Sequence, residues 1–275
     1  MLYESSNNQG IYSPREPRKN YYYRCVEENF EVLERVWDDR YQNTYGYWRS
    51  HILDVIYDYL DCGNLHLGFA RVKCEDCNKE YLLPFSCKRR AFCPSCHQRR
   101  VVEFGEFLYT EVLKEVSHRQ WVFSIPKRLR CYFMYDRKLL AKLSRCAWKV
   151  LCDYLKSSSG DKDSVPGVVI AVQTFGDFLN FNPHLHVIAT DGCFKGDGDF
   201  IKSVLPQGKD IEKVFQSEVL KMLKKEGKIN QFIIDNMLSW ENTGFNVYCG
   251  EAIYAEEQES IEKLAQYVVR APISQ

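Results

Sequence analysis

The sequence predicts an α+β protein in two parts, a small cysteine-rich module followed by a larger domain built on an antiparallel sheet flanked by helices. Three observations point there. Six of the 12 cysteines fall between Cys62 and Cys96. Apolar residues recur at helical spacing in some segments and alternate in others, without the regular strand–helix alternation of a doubly wound parallel sheet. The chain has 275 residues, 45% of them hydrophobic and 27% charged, enough to bury a substantial core. The uneven cysteines favour a catalytic domain with an attached module over one large domain, and we place the division at 1–117 and 118–275.

Taken in order, Phe30, Val32, Leu33 and Val36 mark a helix over Asn29–Trp37, and Ile52, Leu53, Ile56 and Leu60 a second over Tyr47–Leu60. From Cys62 to Cys96 the pattern breaks into short strands and knuckles around CGN, CEDC and SCKRRAFCPSC. A helix follows over Arg99–Val116, then the strand RQWVFSI, ended by Pro126. Asp136–Leu155 reads as a helix and SSSGDKDS as an exposed loop. GVVIAVQTF and HLHVIAT read as two strands joined by a turn region containing Gly176, Asp177, Asn180 and Pro183. After the loop GCFKGDGDF come helices near Asp210–Lys225 and Gln231–Trp240, a strand GFNVYCG and a helix over about Glu256–Arg270.

The net charge is +0 and the isoelectric point about 7.0, so no global excess of positive charge announces a polyanionic partner. The N-terminal segment lacks the features of an export signal, and no stretch is long and apolar enough to span a bilayer, which makes a cytoplasmic protein the expectation. The cysteines then read as metal ligands rather than disulfides.

Cys74 and Cys77 form one C-x-x-C knuckle, and Cys93 and Cys96 a second, at the separation found in zinc ribbons. Two such knuckles direct four thiolates at one tetrahedral ion, so one structural Zn²⁺ is expected on these four residues. Cys62, Cys87, His66 and His97 share the segment; they complete a second site, replace a member of the first, or are ordinary buried thiols and surface imidazoles. Lys88, Arg89, Arg90, Arg99 and Arg100 bracket the second knuckle and favour contact with DNA phosphates over a merely solvated surface. Lys127, Arg128 and Arg130 form a second basic run, for which a solvated loop competes with a role in guiding a DNA backbone.

His184 and His186 lie two apart in a strand, so both imidazoles point to one face, a geometry that suits a divalent metal. Gln173, polar in the middle of an apolar strand, is the expected third ligand, with Asp177 as second choice. A His-x-His pair also occurs at the zinc sites of barrel hydrolases, but there it sits on an early strand with many strand–helix units to follow. Here less than half of the chain remains, and it reads mostly as helix.

Five ordered segments, CGNLHLGFARVKCEDC, FSCKRRAFCPSCHQRR, QWVFSIPKRLR, FNPHLHVIATDGCF and LAQYVVRAPIS, together resemble the transposases of a bacterial insertion-sequence family that moves by rolling-circle transposition. The resemblance covers nearly the whole chain and implies an N-terminal zinc module and a C-terminal HUH nuclease domain with a ferredoxin-like sheet. It makes His184 and His186 the HUH metal pair, holding Mg²⁺ or Mn²⁺, and Tyr267 the nucleophile, with Arg270 on the same helix face. Tyr254 and Tyr248 are the fallback nucleophiles. The position four before Tyr267 is Lys263, so the chain resembles a single-tyrosine form. Because it ends at Gln275, where family members continue, the resemblance implies an incomplete C-terminal domain. The expected function is a metal-dependent nick and transfer of single-stranded DNA at element ends through a phosphotyrosine. The alternative is a catalytically inactive, zinc-dependent DNA-binding remnant; a zinc hydrolase acting on a small molecule is disfavoured by the late His pair and the basic knuckle.

Overall fold

In the computed structural model, residues 17–176, 180–203, 209–254 and 256–269 are described. They divide into two compact units, one ending at Arg100 and the other beginning at Val101. Asp177 and Arg270 lie outside the described residues.

The first unit opens with α1 (Tyr21–Arg40), capped by Asn20, whose side chain accepts from the Tyr22 amide at 2.8 Å. The helix starts eight residues earlier than its apolar spacing suggested. Tyr23, two turns before Phe30, is buried on the same face, and the tyrosine-rich segment around it was not counted as apolar. A short α2 (Gln42–Tyr45) and α3 (His51–Leu60) follow. Strands β1 (Phe69–Lys73) and β2 (Glu80–Pro84) pair antiparallel, with Phe69 opposite Pro84 at the base and Lys73 opposite Glu80 at the tip. Helix α4 (Pro94–Phe107) begins on Pro94, whose fixed φ and missing N–H suit a first helical position, and the unit boundary falls within it.

The second unit is organised by a four-stranded sheet in the order β4-β5-β3-β8, every neighbouring pair antiparallel. Strand β3 (His118–Ser124) leads into α5 (Lys127–Tyr135) and α6 (Lys138–Ser159); β4 (Val168–Phe175) and β5 (Phe181–Thr190) follow as neighbours. A small hairpin of β6 (Gly192–Phe194) and β7 (Phe200–Lys202) precedes α7 (Lys209–Lys225) and α8 (Gln231–Leu238). Strand β8 (Asn246–Ile253) and α9 (Gln258–Val268) complete the unit. The mixed, antiparallel α+β architecture agrees with the sequence reading.

Strand alternation divides the sheet into two covered faces. Trp121, Phe123, Leu185, Val187 and Ala189 point to one, packed against Leu139, Leu143 and Leu151 of α6 and Phe215 of α7. Ile188 points to the other, with Leu264, Ala265 and Val268 of α9 and Leu108. His184 and His186, in phase with Ile188, belong to this second face.

The structure adds one helix that the sequence reading treated as a loop. The basic run after Pro126 is the first turn of α5, in which Leu129 and Phe133 are buried one turn apart. Pro126 ends the strand and also serves as the helix N-cap, two roles that its fixed φ allows together. Among the described residues, no helix is long and apolar enough to cross a membrane.

Candidate functional site

The first constellation lies at the base of the β1–β2 hairpin. The Sγ atoms of Cys62, Cys87, Cys93 and Cys96 lie within 4.8 Å of one another. Cys96 is 3.7 Å from both Cys62 and Cys87, and Cys93 is 3.8 Å from Cys62. A tetrahedral zinc with bonds of roughly 2.3 Å separates its sulfurs by about 3.8 Å, so the four thiols form a cluster suited to a structural Zn²⁺. The Cys87 amide faces the Cys62 sulfur at 3.5 Å and the Arg89 amide faces that of Cys87 at 3.4 Å. Hydrogen bonding within the cluster draws the Cys96 thiol below the ordinary range and pushes those of Cys87 and Cys93 above it.

This corrects the expected ligand set. Cys93 and Cys96 are in the cluster, but Cys74 and Cys77 are not; they are exposed at the opposite end of the hairpin. Each strand is five residues long, which sets the tip on the order of 16 Å from the base. Cys62 and Cys87, which flank the hairpin at its base, take the two places. His97 is buried and His66 exposed, and neither joins the group. Around the cluster, Lys88, Arg89, Arg90, Arg99 and Arg100 are all exposed, and Arg89 is fixed by Asp58 at 2.6 Å.

The second constellation lies on the α9 face of the larger sheet. Three strands meet at His184: Gln173 of β4 is its partner on one side and Ser124 of β3 on the other. The Nε2 atoms of His184 and His186 are 3.0 Å apart. His184 Nδ1 donates to the Asn182 carbonyl at 2.8 Å, in the tautomer that leaves Nε2 with a lone pair. His186 is 3% exposed, and burial, with the neighbouring His184 second, lowers its pKa to about 4, so the ring is neutral near pH 7. Gln120 Nε2 lies 3.5 Å from its Nδ1.

The Tyr267 ring stands perpendicular to that of His186, with centroids 4.9 Å apart. It is carried by the last turn of α9, which Leu264, Ala265 and Val268 anchor on the sheet. The Gln173 amide donates to the carbonyls of Tyr267 and Val268, both at 3.3 Å, and so ties the end of that helix to β4. Lys263, one turn earlier, is exposed and paired with Glu259 at 2.6 Å. Tyr248 is exposed on β8, and Tyr254 lies beneath the Lys202 ammonium. Of the second basic run, Lys127 and Arg128 are exposed, with Arg128 stacked over Trp240. Arg130 is half-buried, and its Nε finds no partner among the described residues.

The sequence reading missed Gln120 and the Asn182 carbonyl. Gln120 carried a usable signal, being polar on the strand face opposite Trp121. The carbonyl carried none, since every residue has one.

Comparison with known proteins decides the family level. Residues 32–125 match a transposase zinc-binding domain of the IS91 kind, and residues 167–275 match the Y2_Tnp transposase family. Over these two stretches the chain is similar to transposases. A transposase for insertion sequence element IS801 from Pseudomonas savastanoi pv. phaseolicola is 29% identical over 155 residues, which make up 56% of this chain and 36% of that relative. The chain thus matches little more than a third of the relative's length. No solved structure matches it. The thiol cluster lies within the zinc-binding match, and the His pair and Tyr267 lie within the Y2_Tnp match.

Proposed function

We propose that this chain is an HUH-type transposase that nicks and transfers single-stranded DNA at element ends through a phosphotyrosine on Tyr267. The carrying observation is the packing of the Tyr267 ring on a His184–His186 pair whose Nε2 atoms lie 3.0 Å apart. The two imidazole nitrogens, side by side on one strand face, would hold a divalent ion such as Mg²⁺ or Mn²⁺. Gln173, opposite His184, is the proposed third ligand through the amide oxygen, which α9 does not engage. The strand order supports a ferredoxin-like domain: numbering β3, β4, β5 and β8 as one to four gives 4-1-3-2, with helices after the first and third strands.

When bound, the metal polarises the scissile phosphate. The Tyr267 oxygen bonds to phosphorus as the P–O3′ bond breaks, and the phenolic proton ends on the departing 3′-oxygen, leaving a 5′-phosphotyrosine and a free 3′-hydroxyl. Gln173 and the apolar seat of α9 fix the ring over the pair, the positioning that such a displacement depends on. Lys88, Arg90, Arg99 and Arg100, with Lys127 and Arg128, are proposed to hold the DNA backbone. We retain 1–117 as the recognition part and 118–275 as the nuclease part.

The test is incubation of the full chain with single-stranded element-end DNA and Mn²⁺, followed by a denaturing gel. A covalent adduct that disappears in Tyr267→Phe and in His184→Ala is expected. Wild-type protein that binds the DNA but forms no adduct would instead be a zinc-dependent DNA-binding protein, and the enzyme reading would fall.

A further inference from the structure

The cluster at the base of the β1–β2 hairpin leaves Cys74 and Cys77 unused at its tip, and the tip has the form of a metal knuckle. The chain reverses through Cys74–Lys79, with the Cys74 amide donating to the Lys79 carbonyl at 2.9 Å and the Asn78 amide to the Cys74 carbonyl at 3.0 Å. Asn78, directly after the second cysteine, has φ 52°, a left-handed conformation that asparagine tolerates better than most residues. The backbone amides of Cys77 and Asp76 face Cys74 Sγ, with the Cys77 thiol beside it. Both cysteines are exposed. Two thiols are presented side by side, half of a closed tetrahedral set.

Nothing among the described residues supplies the other half. Among the described residues, no third His, Cys, Asp or Glu donor gathers around the pair. The residues outside the described set contain neither cysteine nor histidine. The hairpin also displays exposed apolar side chains: Phe69 is 45% exposed and Leu82 44%. An isolated two-stranded hairpin is marginal in water, so such a ribbon gains from a partner surface.

We infer that the hairpin tip is a half-site for Zn²⁺, completed by Cys74 and Cys77 of a second copy, so that one ion joins two chains tip to tip. A second copy is the occupant that brings an identical pair of thiolates, and two such pairs related by a two-fold axis make a four-sulfur site. Binding releases the thiol protons and involves no redox step. The site is independent of the His184–His186 pair and of the proposed DNA chemistry.

The full chain, purified in zinc and freed of loose metal, is assayed for zinc content and for mass by light scattering, beside a Cys74→Ser/Cys77→Ser double variant. The expected zinc content is about one and a half per chain in the wild type and about one in the variant, because the base cluster is untouched. Mass should fall from dimer to monomer with the same substitutions, while circular dichroism stays unchanged. A wild-type content of about one per chain, or retention of the extra half in the double variant, overturns the inference. So does a content of about two with a mass unaffected by the substitutions, which would place the second ion on a single chain.

Discussion

In the unit ending at Arg100, the buried side chains next to the thiol cluster are Tyr23 and Tyr59, with Tyr22 and Phe92 half-buried around them. In the unit beginning at Val101, Trp121, Phe123, Leu129, Phe133, Leu143, Leu185 and Phe215 are shut away between sheet and helices, with many others. Fewer apolar side chains surround the centre of the first unit. There, an ion held by the four sulfurs would do what a core does elsewhere. The second has no such need, and the sheet face that carries His184 and His186 takes no part in that large core.

The comparison can be broken first by taking the zinc away. Structural zinc contributes on the order of 10–16 kcal/mol to folding in small domains, so chelation, or Cys96→Ser, should unfold the first unit and leave the second intact. Hydrogen exchange checks this: amides of residues 51–100 lose protection while those of β3 and β5 keep theirs. Loss of protection in both would mean that the units do not stand independently. The mirror experiment is Phe123→Ala, which empties part of the larger core and should cost about 3–5 kcal/mol in denaturant unfolding of the second unit, with zinc content unchanged.

A smaller effect sharpens the role of Gln173. Its replacement by alanine strands two carbonyls at the end of α9, a loss of about 1–3 kcal/mol locally. If Gln173 seats the tyrosine, Gln173→Ala should slow adduct formation at saturating Mn²⁺ and raise exchange in α9. A defect cured entirely by more metal would reduce Gln173 to a ligand alone.

The smallest effect is one of pH. Burial holds the His118 pKa below its ordinary value and that of His186 at about 4. Both values are depressed relative to the unfolded chain, near 6.5, so the unfolded state takes up protons that the folded state refuses. In metal-free protein the second unit should therefore be fully stable above about pH 6.5 and lose stability as pH falls toward about 4. A melting temperature that is flat over this window would show that one or both rings find a charged partner.

How much could be read from the sequence also differs between the units. The alternation of HLHVIAT placed His184 and His186 on one face, because a strand in a packed sheet must obey its period of two. Cysteine spacing misled, because C-x-x-C describes only the local turn. Which knuckles share an ion depends on how far the chain travels between them, and ten paired residues carry Cys74 and Cys77 out to the tip and back. The better clue was that Cys62 and Cys87 bracket an entire hairpin. Helix α5 stayed hidden because four of its first five residues, Lys127, Arg128, Arg130 and Cys131, are not obvious core formers, and the burial of Leu129 and Phe133 emerges only on packing.

Tyr267 is 45% exposed, while His186, against which its ring packs, is almost wholly covered. A reactive group sunk in a closed pocket must be threaded and so selects for chain ends. A half-exposed tyrosine beside a buried histidine can be approached from the side, by any part of a polymer laid across the helix. Under the proposed chemistry, a circular strand would be as accessible as a linear one. The choice of where to cut would then pass from the reacting centre to whatever surface holds the strand in register.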